Sequence, residues 1–291
     1  VDLKRYPVAL YLALVVLLST PYYVLLARSG SMDMGRGFVV HSLMWAPGIA
    51  GLLSAWLRHR SVAMLGLGWG RTRYVAAGYV LPILYSLLAY VPLWLSGLAP
   101  AAFGEFARDC ATRLHWQNAG LLAPALLQIF LTLTFGAIQS AASAAGEEIG
   151  WRGYLVPALR EKYGMGATVL LSGLIWAAWH MPVIFFADYH SAAPQAYAVA
   201  CFTLMVLITG GIAAWLRLRS GSVWPAIALH AVHNAFIQWL LDPMTDASGN
   251  GAWYAGEFGV ALVIAAGIAA ASLFTRSPRP ASPSFPDLLT P

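Results

Sequence analysis

The chain has 291 residues, 59% of them hydrophobic and only 10% charged, with a mean hydropathy of +0.67 and a formal net charge of +5. A soluble domain of this length carries about 25% charged residues, so the composition excludes a soluble globular protein. The positive excess sits in short links between apolar runs, as in ordinary membrane proteins, and gives no case for nucleic acid as a partner.

The predicted elements follow from hydrophobic runs of about 20 residues, the length that spans a hydrocarbon core. Eight are read, at roughly 7–27, 38–57, 74–98, 119–147, 165–187, 196–217, 222–241 and 255–275. The fold class is all-α: a polytopic membrane helix bundle. The runs are continuous rather than alternating, which argues against a membrane barrel. The first run is long enough to span and has no clear small-residue cleavage site, so it reads as a retained helix. After the fourth run, Tyr154 to Tyr163 reads as a short interfacial helix with Arg160, Glu161 and Lys162 toward water. Cys110 in a link and Cys201 in an apolar run predict no disulfide. Residues 1–276 are read as one transmembrane domain with its core at about 119–241. Residues 277–291, rich in Pro and Ser, are read as a disordered tail.

Orientation follows the distribution of Lys and Arg. With the N-terminus in the cytosol, thirteen of the seventeen fall on cytoplasmic segments, and Arg28, Arg36, Arg108 and Arg113 on the other side. Both termini are therefore expected in the cytosol, with Glu147 at the cytoplasmic end of its helix. Low Lys and high Ala, Gly, Trp and Arg usage fit a bacterial cytoplasmic (inner) membrane.

Three places carry polar chemistry at membrane depth, where an ionisable residue marks function by default. The first is Gly146-Glu147-Glu148-Ile149-Gly150-Trp151-Arg152. In a continuous helix Glu148 and Arg152 share a face four residues apart. Glu147 then points about 100° away, free to face a cavity. Two carboxylates in one place favour a proton on one of them, which suits a general base. The plain alternative is a solvated helix end. The second place is Trp176-x-x-x-His180, with Pro182 able to kink the helix and free carbonyls near the imidazole. The third is His230-x-x-His233-Asn234, where His230 and Asn234 share a face and His233 lies on the next stripe. Its alternative is interhelical hydrogen bonding without chemistry. His41, Gln128, Gln139 and Gln238 read as such glue, and Glu257 as solvated near the start of the last helix. Small residues at 141–146 and Gly210-Gly211 would let helices approach closely around these places.

Taken in order on successive helices, Glu147-Glu148-x-x-x-Arg152, Trp176-x-x-x-His180 and His230-x-x-x-Asn234 resemble the CAAX-protease and bacteriocin-processing enzyme family. The resemblance covers the fourth to seventh runs. The family's second motif usually opens with Phe, and this chain keeps an aromatic ring there. The resemblance implies an intramembrane endopeptidase of the type II CAAX prenyl-protease kind, open toward the cytosol. It implies that Glu147 and His180 activate a water, that His230 and Asn234 hold the oxyanion, and that Glu148, Arg152 and Trp176 are supporting residues. The partner would be a peptide or lipidated peptide in the membrane.

No side chain is a clear nucleophile, since Cys201 and Ser172 have no partnered base in any motif, so water is the simplest attacker. Glu147, His180 and His230 also make up a His₂Glu zinc set. No His-Glu-x-x-His helix is present and Asn is a poor zinc ligand, so the expectation is no cofactor, with zinc as the alternative. Intramembrane Glu and His also build proton relays, which keeps a proton-coupled carrier open, although no inverted repeat is visible. A non-catalytic scaffold is the third reading.

Overall fold

The computed structural model describes residues 7–35 and 37–276, less the side chains of Ala119 and Arg276. The expected Pro/Ser-rich tail therefore lies outside the described residues. Nine α-helices of ten residues or more organise the rest. They are α1 (Pro7–Ser29), α2 (Phe38–His59), α3 (Thr72–Ser96), α4 (Phe103–Arg113), α5 (Leu122–Arg160), α6 (Met165–Phe186), α7 (Gln195–Ser220), α8 (Trp224–Phe236) and α9 (Val260–Arg276). Apart from one isolated antiparallel bridge between Ala101 and Thr245, the described residues contain no strand pairing.

Six of these helices, α1, α2, α3, α5, α6 and α7, are long and apolar enough to cross a membrane. The seventh and eighth expected runs are present as α8 and α9, which are shorter, at 13 and 17 residues. The reason for α8 is visible in its burial. It packs against α3, α5 and α7, and all its residues but Trp224, Ala228 and Asn234 are buried. A helix surrounded by protein can hold polar groups that a lipid-facing helix cannot.

Two elements differ from expectation. The link after α3 contains an amphipathic helix, α4, which buries Phe106, Ala107, Cys110 and Ala111. It is too short and too polar to stand out among spans. The second difference lies beyond Glu148. No separate interfacial helix begins at Tyr154. The chain stays helical through a π-helical stretch, Ile149–Leu155, into Val156–Arg160. Tyr154, Leu155, Val156 and Ala158 are wholly buried, so this segment is bundle interior. Glu147 consequently stands well inside α5, thirteen residues before its end, and not at a helix terminus. The far end of α5 is tied to α2 by Arg58, whose two Nη atoms meet the Glu161 carboxylate at 2.9 and 2.8 Å.

The position of α5 is set by glycine. A Cβ on Gly146 would lie 2.6 Å from Met44 O and one on Gly150 2.4 Å from Pro47 O. Facing them, Gly48 would meet Gly146 O at 2.4 Å. The two backbones are in direct contact there, which small residues alone permit.

Candidate active site

Glu147 is 1% exposed and lines a cavity of about 130 Å³ inside the bundle. Its Oε2 accepts hydrogen bonds from two indoles, Trp176 Nε1 at 2.7 Å and Trp151 Nε1 at 3.3 Å. An indole N–H only donates, so both fix the carboxylate as an acceptor and leave Oε1 as its other oxygen. Trp151 follows Glu147 by one turn of α5, and Trp176 comes from α6.

Glu148 turns the other way, as the helical phase predicts. Its Oε1 meets Arg152 Nη1 at 2.8 Å and His230 Nδ1 at 2.9 Å. All three side chains are buried. The guanidinium also lies over the Trp176 ring, 4.1 Å from its centroid, an arrangement that stabilises a desolvated cation. Gly210 of α7 makes room for it, because a Cβ there would sit 2.8 Å from Arg152 Nη2. This explains one of the paired glycines in that run. Arg152 is thus a buried structural cation and not a loop charge; Arg217, also assigned to a cytoplasmic link by sequence, is likewise buried and donates to Met64 O at 2.8 Å.

The imidazoles are oriented by their Nδ1 atoms. His180 Nδ1 lies 2.9 Å from Trp176 O. A carbonyl only accepts, so Nδ1 carries the proton and Nε2 presents a lone pair. His230 Nδ1 is held by the Glu148 carboxylate in the same sense, which leaves Nε2 as its remaining polar atom. Trp176 stands between them, its ring centroid 5.7 Å from His180 and 5.4 Å from His230. Glu147, His180, His230 and Asn234 all line the one cavity. The four expected side chains, from α5, α6 and α8, therefore do converge, and Glu148, Arg152 and Trp176 form the frame behind them. Apolar walls complete the cavity, from Met44, Val183, Phe202, Met205 and Val206 among others.

Sequence reading missed the opposite wall. Glu257 is not solvated: it is 6% exposed and lines the same cavity. Its Oε1 meets His233 Nε2 at 3.0 Å, while Oε2 accepts from Tyr189 Oη at 2.6 Å and Gln238 Nε2 at 3.0 Å. Tyr85 Oη meets His233 Nδ1 at 2.6 Å. Burial pushes the Glu257 carboxyl up, and the His233, Tyr189 and Gln238 bonds outweigh it, holding the group below its usual range. Nearby Asp242 goes the other way: burial raises it to about 7 despite the hydrogen bond from Tyr90. No short motif links these residues, so no spacing signal could have grouped them. Of the expected glue, His41 does bond across helices, to Ser143 Oγ at 2.7 Å. Gln128 instead bonds Thr132 within its own helix, and Gln139 is exposed on the outer surface.

The cavity reaches from Glu147 toward Met32, Val40 and Tyr189, at the end of the bundle formed by the α1–α2 and α6–α7 links. The Lys and Arg count assigns that end to the side opposite the cytosol, whereas the family resemblance implies a cytosolic opening.

Among the described residues no group of three His, Cys, Asp or Glu side chains is placed to hold a metal ion. The Nδ1 atoms of His180 and His230 are already committed to protein acceptors, and one oxygen of Glu147 to two indoles.

Residues 114–236 match the family described as Type II CAAX prenyl endopeptidase Rce1-like. That segment spans α5 to α8 and contains every residue of the three motifs. The chain is also similar to the protein named CAAX prenyl protease 2 of Methanococcus maripaludis, at 28% identity over 158 residues, 53% of this chain and 54% of that protein. The aligned part thus spans about half the length of the curated relative. The resemblance read from the motifs is borne out over this segment.

Proposed function

We propose that the chain is an intramembrane endopeptidase that hydrolyses a peptide bond with a water activated by Glu147 and His180. One observation carries this reading: an indole-clamped carboxylate and an imidazole lone pair share a cavity with His230 and Asn234, and among the described residues no Ser or Cys lines it. Water bound between Glu147 and His180 Nε2 gives up a proton as its oxygen attacks the substrate carbonyl carbon. The developing oxyanion takes hydrogen bonds from Asn234 Nδ2 and from His230 Nε2, which donates when the ring is doubly protonated against Glu148. One such donor is typically worth about 2.7–4 kcal/mol. The C–N bond then breaks, and the leaving amine takes the proton that the base had accepted.

With His230 in that state the charges of Glu147, Glu148, Arg152 and His230 sum to zero, as a buried site requires. The reading is metal-free. Elemental analysis of purified protein, with a chelator titration of cleavage, tests it; stoichiometric zinc and chelator-sensitive turnover overturn it.

The substrate class is a membrane-associated peptide, and the relative's name makes prenylated C-terminal peptides the first probes. Glu147→Gln keeps the shape and an oxygen able to accept from both indoles but removes the base. It is expected to lower turnover of such a peptide by about 10²–10⁴-fold while folding and binding survive. Undiminished cleavage by that variant refutes the assignment. Reaction of Ser31→Cys with an impermeant maleimide in intact cells assigns the cavity mouth to the outside; protection until permeabilisation assigns it to the cytosol.

A further inference from the structure

The proteolytic reading uses Glu147, His180, His230 and Asn234. It leaves unused a second buried carboxylate in the same cavity. Glu257 enters from the link between α8 and α9, and its two oxygens are held by His233, Tyr189 and Gln238. The Tyr85 hydroxyl meets His233 Nδ1. If it donates there, Nδ1 is an acceptor and Nε2 carries the proton toward Glu257. Three donors then converge on the Glu257 carboxylate, and among the described residues no Lys or Arg pairs with it.

Its position gives that charge a use. Glu257, Tyr189 and Gln238 line the catalytic cavity and also a second cavity of about 390 Å³, bordered by Asp188, His190, Asp242 and Gly256. These three side chains are the shared wall between the two spaces. A peptide held with its scissile bond at Glu147 and extending toward the second cavity passes the Glu257 carboxylate. Neither cavity has a Lys or Arg in its lining, so a substrate carboxylate placed at this wall meets Glu257 with no Lys or Arg to pair with.

We propose that Glu257 is a specificity-determining residue, which makes this subsite accept a neutral or basic side chain and reject a carboxylate. The inference rests on the proteolytic reading and narrows it to a substrate class: peptides without Asp, Glu or a free C-terminus at the position that reaches the wall. Two charges several ångströms apart at low effective dielectric interact strongly enough for discrimination of about tenfold or more.

The test uses the full chain in detergent micelles and fluorescent farnesylated-cysteine peptides that differ at one position, carrying Ala, Asn, Asp or Lys. Binding is read by anisotropy in the Glu147→Gln background, where turnover is suppressed and the catalytic charge is gone. At one position the Asp peptide should bind about tenfold or more weakly than its Asn and Ala counterparts, and Lys at least as well as Ala. Adding Glu257→Gln should collapse the Asp-to-Asn ratio toward one. The wild-type kcat/KM ratios should follow the same order. Equal binding of Asp and Asn at every position overturns the proposal, as does a penalty that persists in Glu257→Gln. Where that variant fails to fold, Tyr189→Phe, which keeps the charge, must preserve the Asp penalty, and its loss there counts against Glu257. Absence of both binding and cleavage for every peptide sinks the proteolytic reading together with this one. Binding without discrimination removes this one alone.

Discussion

Replacing Arg152 by Met probes the frame behind the site without touching any reacting group. The guanidinium is 2% exposed, 2.8 Å from Glu148 Oε1 and 4.1 Å from the Trp176 ring centroid. Met fills much of the same volume, so the loss is electrostatic rather than a cavity. Glu148, wholly buried, would keep only His230 as a partner. Removing one member of a buried pair costs about 3–5 kcal/mol because the other charge is left uncompensated. The lost cation–π contact is worth about 2 kcal/mol when desolvated and overlaps with that figure. A loss near 4 kcal/mol is expected, roughly a thousandfold in the folding equilibrium. The assay is reversible unfolding by SDS titration in mixed micelles, followed by tryptophan fluorescence. The companion experiment is the double mutant with Glu148→Gln. Since that change removes the stranded charge, the double mutant should be less destabilised than the sum of the singles by at least ~2 kcal/mol. A loss below ~1 kcal/mol with strict additivity, on the scale of exposed pairs, would show that the pair is solvated and the frame misread.

Trp176→Phe keeps a ring beneath Arg152 but deletes the shorter of the two N–H bonds to Glu147. It should lower kcat by about tenfold or more, in line with ~1.5–3 kcal/mol for a bond to a charged group, with little change in KM; unchanged kcat refutes the clamp. Gly150→Ala sets a methyl against the Pro47 carbonyl and should cost ~3 kcal/mol or more by the same SDS titration, whereas native stability would mean that α2 and α5 are not in backbone contact. Asp242 supplies a pH dependence. Its folded value, about 7, lies above the ordinary 3.8, so the folded state holds the extra proton between the two. The contribution to stability is full below pH ~4 and is lost as pH rises toward 7, on the order of 4 kcal/mol. Asp242→Asn should flatten that fall and leave the protein more stable than wild type at pH 8; parallel pH curves for the two proteins refute it.

How much of this was legible in the sequence depends on where each partner lies along the chain. Glu148 and Arg152 are four apart, and the helical phase alone both paired them and turned Glu147 away. The same rule put His230 and Asn234 on one face, and both line the cavity. The rule says nothing about Glu257, Tyr189, Tyr85 and His233, because those meet across two helices and two links with no repeating interval. It also stopped the fourth run too early. A span of ordinary length was assumed to end where charges began, but Arg152 is neutralised by Glu148 inside the bundle, so the helix has no reason to stop there. The Lys and Arg count suffered from the same assumption, since it scored Arg152 and Arg217 as loop charges. The π-helical stretch after Glu148 leaves no trace in hydrophobic period, being masked by residues buried on every side.

The bare seam between Gly48 on one helix and Gly146 and Gly150 on the other reaches beyond packing. The segment matched to the family begins at residue 114, so α2 lies outside it. It is nonetheless the ruler from which the acid's depth is measured: one methyl added at position 48 would shove the backbone that carries Glu147. An excised core of residues 114–236 would therefore keep all three motifs and lose the contact that sets their depth.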